Sequence, residues 1–165
     1  MDHGRARGFA YLWTLMLVAF MGVGAVIASE LYSTSVRRDK ERELLFIGHE
    51  FRAAIGRYYN SNAGGQQAYP LTLEDLLKDP RFPNARRHLR RLYADPVTGK
   101  REWGTVLQQG RIVGVHSLSE QLPVKQDNFD DSEAAFRHKP KYADWVFTYP
   151  ADLFVPPKPA AGARP

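Results

Sequence analysis

A chain of 165 residues with a net charge of +5 and no cysteine has room for one modest domain, and it excludes disulfide frameworks, thiolate metal sites and cysteine nucleophiles. The charge is uneven: RRHLRR at residues 86–91, with Arg81, Lys100 and Arg101 close by in sequence, holds much of the positive excess. No H-E-x-x-H spacing joins the histidines, no elbow glycines flank Ser117 or Ser119, and there is no phosphate-binding glycine loop. These absences argue against a zinc hydrolase, a serine hydrolase and a nucleotide-driven motor, and no catalytic residue is assigned.

Residues 1–8 form a short basic leader containing Arg5 and Arg7. Residues 9–29 carry no charge and as a helix would extend about 31 Å, matching a bilayer hydrocarbon core of about 30 Å. AVIAS at 25–29 imitates a signal-peptide cleavage site, but the apolar run passes without a proline into a helical pattern, which a cleaved secretory signal does not do. In that pattern Leu44, Ile47, Phe51, Ala54, Ile55, Tyr58 and Tyr59 recur at three- and four-residue steps, placing them on one face. Arg42, Glu43, His49, Glu50, Arg52 and Arg57 occupy the other. RRDKERE at 37–43 alternates in sign, as a solvated helix does. One helix from Phe9 to Asn60 is expected, amphipathic over 30–60 and stopped by SNAGG at 61–65.

Residues 61–154 read as a small α+β unit. Thr72 is placed to cap a short helix, TLEDLLKD, with Asp75 as the reciprocal residue. ARRHLRRL at 85–92 is expected to form a second helical turn or two, with Leu89 and Leu92 inward. ADPVTGK at 94–100 is a punctuated loop. EWGTVLQ and RIVGVHS read as strands joined by a hairpin at Gln109-Gly110, with His116 packing or hydrogen-bonding within the second. Residues 120–140 read as a long polar loop. ADWVFTYP supplies a third strand with Trp145, Phe147 and Tyr149 on one face, and residues 155–165 read as a disordered Pro-rich tail. The fold class expected is α+β: a long N-terminal helix, its first half membrane-spanning, its second half packed through Phe51, Ile55 and Tyr58 against an antiparallel sheet of about three strands.

RARG ahead of Phe9, the long helix, Tyr69-Pro70 followed by TLEDLL, the ADPVTGKREW loop and the strand GVHSLS come in an order that resembles the type IV pilin-like superfamily. The closest resemblance within it is to type II secretion pseudopilins. The resemblance implies cleavage between Gly8 and Phe9 by a prepilin peptidase and methylation of the new Phe9 amino group. It also implies storage in the bacterial inner membrane, a periplasmic globular domain, and assembly with other pseudopilins and the inner-membrane secretion platform into a short filament that supports protein export. The orientation, leader inside, rests on the resemblance, since Arg37, Arg38, Lys40 and Arg42 on the distal flank would by count face the cytoplasm. The family usually has glutamate as the fifth mature residue, where this chain has Trp13. Helix packing in the membrane would then rest on Phe9, Leu12, Trp13 and Met16, as expected of a minor or specialised subunit.

No cofactor is required. The family's calcium loop corresponds to SEQLPVKQDNFDDSE, where Asp127, Asp130 and Asp131 are the candidate ligands; Lys125 in the middle and the missing glycines favour a solvated acidic loop. Arg86, Arg87, Arg90 and Arg91 form the candidate patch for an anionic partner, whether lipid headgroup, acidic neighbour or nucleic acid. The absence of interleaved aromatics argues against nucleic acid. Two alternatives stand beside the pseudopilin: a minor or DNA-uptake pilin binding DNA through residues 86–91, and a single-pass anchored periplasmic protein outside any filament.

Overall fold

The computed structural model describes residues 5–61, 63–151 and 153; within its long helix the side chains described are those of residues 11–21 and 34–60. The leader residues 1–4, the side chains of Gly8 and Phe9 and the tail at 155–165 therefore lie outside what is described. The chain divides into two compact units, Met1–Asp39 and Lys40–Pro165. Helix α1, Arg5–Asn60, contributes to both.

In the first unit, Tyr11, Leu12, Trp13, Leu15, Met16, Leu17, Val18, Phe20 and Met21 are each more than half exposed. Large apolar side chains exposed all round a helix are not the pattern of a surface helix in water, which keeps one polar face. Among the described residues no helix is long and apolar enough to cross a membrane. The span expected over 9–29 continues through 22–29, whose side chains lie outside the described set.

The second unit is α+β. Leu44, Ile47, Phe51, Ala54, Ile55 and Tyr58 are buried and Tyr59 is half-buried, so the stripe read from three- and four-residue spacing is the face that α1 puts into the core. Gly64 (φ 66°) and Gly65 (φ 82°) follow in left-handed conformation, which glycine adopts without a Cβ clash. The stop expected at SNAGG is where the helix ends.

Three strands, β1 (Gly104–Gln108), β2 (Arg111–His116) and β3 (Val146–Thr148), form an antiparallel sheet in that order. Gln109 and Gly110 both have positive φ, the conformation a two-residue hairpin needs to match strand twist. Central β2 buries Ile112, Val113 and Val115, while β1 is an exposed edge. Phe147 from β3 lies against Gly48 of α1, and Tyr149 against Gly56; in each case a Cβ would enter the ring. The helix approaches the sheet this closely because it has no side chain at those two positions.

Three expectations need correction. The polar stretch 120–140 is not an open loop. It contains a 3-10 helix, Asp131–Phe136, and buries Phe129, Glu133 and Phe136, the two phenylalanines packing against Trp145 with ring centroids 5.4 Å away. The helix expected at TLEDLLKD is a single 3-10 turn, Glu74–Leu76, with Leu73 rather than Thr72 at its N-cap. Asp75 nonetheless fills its half of the motif, accepting the Leu71 and Thr72 N–H groups at 2.9 and 3.1 Å. ARRHLRRL is not helical. Its backbone is taken up elsewhere: His88 and Leu89 both donate to the Leu76 carbonyl, and the Arg86 carbonyl accepts from Asp79. Arginines paired four apart would also repel on a helix face. Leu89 still turns inward and is buried, and Leu92 is half-buried.

Candidate functional site

The end of α1 meets the segment 79–88 through a buried ion network. Asp79 has no exposed side-chain surface. It takes Arg81 Nε at 2.9 Å and Nη2 at 2.7 Å, and lies 3.0 Å from His88 Nε2. The same Arg81 Nη2 donates to the Tyr58 carbonyl at 2.8 Å and to Ser61 Oγ at 2.6 Å, and the guanidinium lies 3.7 Å from the Tyr58 ring centroid. Arg81 therefore closes the C-terminal end of the helix, where carbonyls lack partners and positive charge is favoured. Burial alone would raise the Asp79 carboxyl, but the Arg81 and His88 hydrogen bonds and the Arg81 charge outweigh it and lower it to about 2. Burial lowers the His88 imidazole below its ordinary value against the opposing pull of Asp79. Ser61, His88 and Asp79 do not make a nucleophile relay: the Ser61 hydroxyl donates to the Tyr58 carbonyl, and Arg81 occupies the carboxylate.

Beside this network lies a groove of about 550 Å³ lined by Ala53, Gly56, Arg57, Asn60, Ser61, Arg86, Arg87, His88 and Tyr149. Arg57 Nη2 is held by the His88 carbonyl at 2.7 Å, Asn60 donates to the Tyr149 hydroxyl at 2.9 Å, and the Arg86 guanidinium sits 4.8 Å from the Phe82 ring centroid. The four-arginine patch expected from sequence is thus divided. Arg86 and Arg87 line this groove with Arg57. Arg91, 5.1 Å from the Tyr93 ring centroid, lines a separate hollow with Arg101 and Glu43, and Arg90 is exposed. Arg57 is the member that sequence reading placed on the solvent face of α1 without linking it to this cluster. A lone basic residue one turn from a helix stop gives no signal of what will pack beside it.

The remaining sequence candidates are dispersed. Asp127, Asp130 and Asp131 are exposed, and Asp127 lies 3.6 Å from Arg137. Among the described residues no three carboxylates or histidines gather where they could hold a metal ion. Leu12, Trp13 and Met16 are exposed on α1, with Trp13 and Met16 sharing an apolar concavity with Leu17, Phe20 and Met21. The α1 backbone includes Gly8 and Phe9. His116 lies in β2 with Nδ1 2.9 Å from the Ser117 carbonyl.

Two anchors were not found from sequence. Glu41, inside the alternating RRDKERE run, is buried; its carboxylate accepts the Val124 and Lys125 N–H groups at 2.8 and 3.1 Å and the Tyr142 hydroxyl at 2.9 Å. The signal existed, since Glu41 falls one turn before Leu44 on the apolar stripe. Asp95, fully buried in the ADPVTGK loop, accepts Ser117 Oγ at 2.7 Å and the Val97 N–H at 2.8 Å, tying that loop to the end of β2. No family model, curated protein or solved structure matches the chain.

Proposed function

We propose that the chain is a pseudopilin-like structural subunit of a type II secretion or related machine. It is held in the bacterial inner membrane by the helix over 9–29, with its α+β unit in the periplasm, and is drawn into a short filament that supports export. The observation that carries this reading is the division of labour along α1: large apolar side chains exposed all round at 11–21, and a buried stripe from Leu44 to Tyr58 under a three-stranded sheet. An exposed apolar run of this kind needs lipid or other helices around it. The link between ADPVTGK and GVHSLS, Asp95 to Ser117, supports it further, because it makes two separate parts of the resemblance one structural feature. With Trp13 in place of a carboxylate, docking among neighbouring helices rests on apolar packing by Phe9, Leu12, Trp13 and Met16. No reaction is assigned to the subunit itself.

The test is the mass of the mature N-terminus, measured on chain recovered from membranes of cells with and without a prepilin peptidase. A start at methylated Phe9 only where the peptidase is present is the expected result. An intact Met1 in both strains would reduce the chain to an anchored domain, and a start near Glu30 would make residues 9–29 a cleaved signal. The competing reading, a minor pilin that binds DNA, draws on the exposure of Arg86, Arg87, Arg90 and Arg91. It requires duplex binding that weakens steeply with salt and disappears when the four become alanine.

A further inference from the structure

The groove at the end of α1 carries three guanidinium groups, and among the described residues no carboxylate lies within ion-pair distance of Arg57, Arg86 or Arg87. Two of the three are already positioned, Arg57 by the His88 carbonyl and Arg86 over Phe82, so little further ordering is needed for them to meet an anion. The same unit holds a matching set of unneutralised acids. Asp130 and Asp131 are consecutive and exposed, and neither is ion-paired among the described residues. Their stretch is fixed on both sides: upstream by the Val124 and Lys125 N–H groups on Glu41, downstream by His49 on Glu133 at 2.7 Å, with Phe129 buried between.

Both surfaces lie beside α1 but at different levels, the acids near residues 41–49 and the groove near 53–61. Midpoint to midpoint this is about 12 helical residues, or roughly 18 Å along the axis. The acids are thus held away from Arg57, Arg86 and Arg87 of their own chain. Two different complementary patches on one subunit make a heterologous contact, and such contacts propagate into open helical arrays unless a rotation closes them.

We propose that the Arg57, Arg86 and Arg87 groove receives the Asp130-Asp131 corner of a second copy of this chain. The proposal rests on the filament-subunit reading for its setting, and it adds the contact that would order neighbouring outer domains. An acidic protein segment is favoured over lipid or nucleic acid because the chain itself presents carboxylates in a matching consecutive pair.

The absence of cysteine makes the test clean. Two differently tagged full-length copies, one Arg87→Cys and one Asp130→Cys, are co-expressed and oxidised in membranes, with Gln66→Cys and Asp130→Cys as the control pair, Gln66 being exposed and outside both patches. The expected result is a mixed-tag disulfide dimer from the first pair, at least about tenfold above the control, as opposite-charge complementarity and steering imply. Arg57→Glu with Arg86→Glu on the Arg87→Cys copy should abolish it. Adding Asp131→Arg to the other copy should restore it. A yield equal to the control, or one unmoved by these reversals, overturns the proposal; so does binding of the wild-type chain to phosphatidylglycerol vesicles or duplex DNA that is lost with the arginines while the crosslink stays at control level. The N-terminal mass is read on the same membranes: a chain processed at Phe9 without the crosslink rejects this contact and leaves the subunit reading standing.

Discussion

Asp95 and Glu41 are buried carboxylates, at 0% and 5% exposure, and each is satisfied by neutral donors rather than by a cation. A buried charge without a counter-ion is tolerable only when hydrogen bonds replace its water, so these two should be sensitive to any loss of donors. Asp95→Ala leaves the Ser117 O–H and the Val97 N–H without their acceptor, while Ser117 Oγ still accepts the Ser119 N–H, and should cost about 2–3 kcal/mol. Ser117→Ala alone should cost about 1 kcal/mol. Because the two side chains share one bond, the double variant should fall short of the sum by at least about 0.5 kcal/mol in urea unfolding. Strict additivity would mean that the loop and the end of β2 are not joined through this pair. Glu41→Gln keeps the size but weakens three acceptor contacts, and should loosen the 123–126 segment, seen as faster amide exchange at Val124 and Lys125.

At the scale of elements, Gly48 is a sign test of how α1 meets β3. On an open helix face Gly→Ala stabilises by about 0.5–1 kcal/mol. At Gly48 the added Cβ would enter the buried Phe147 ring, so Gly48→Ala should instead destabilise by about 1–3 kcal/mol. Gly56→Ala should cost less, since its obstacle is the half-buried Tyr149 ring, which has room to swing. Stabilisation at position 48 in thermal unfolding would place β3 elsewhere on the helix. Much of this architecture was legible in the chain: the stripe from Leu44 to Tyr58 obeys a period, the Gln109-Gly110 turn needs positive φ, and Trp145 to Tyr149 alternate. What was hidden follows from long-range packing. Phe129 and Phe136 sit in a polar stretch of weak periodicity, and it is packing on each other, on Trp145 and, for Phe136, on Phe147 that makes them core residues. RRHLRR looked helical because Leu89 and Leu92 are spaced for a helix, while the Leu76 carbonyl that takes its backbone donors cannot be seen from local pattern. Of the candidate groove, Arg86 and Arg87 were visible as a charge cluster; Arg57, Asn60 and Tyr149 join them only through the fold.

For the whole molecule, the Asp79, Arg81 and His88 network ties the segment 79–88 to the end of the helix, and its titration makes that tie dependent on pH. His88 has a folded pKa below its ordinary 6.5, so below that value the unfolded chain binds a proton that the folded chain refuses. Its contribution is therefore complete above about pH 6.5 and is lost as pH falls through the folded value. Asp79, lowered from 3.8 to about 2, is likewise stabilising above 3.8 and loses its contribution between there and about 2. Glu133, lowered chiefly by its hydrogen bond with His49, acts in the same direction just below its ordinary 4.5. Stability should therefore decline in two stages on acidification, the first carrying at most one proton, or about 1.4 kcal/mol per pH unit. Replacing His88 by Gln keeps an amide donor near Asp79 but cannot titrate. In urea unfolding of the full chain in detergent, His88→Gln should flatten the slope that opens just below pH 6.5 and leave the lower stage in place. A slope in the upper range that survives this substitution would assign it to another histidine, and the helix-end network would then be a fixed clasp without a proton-linked component.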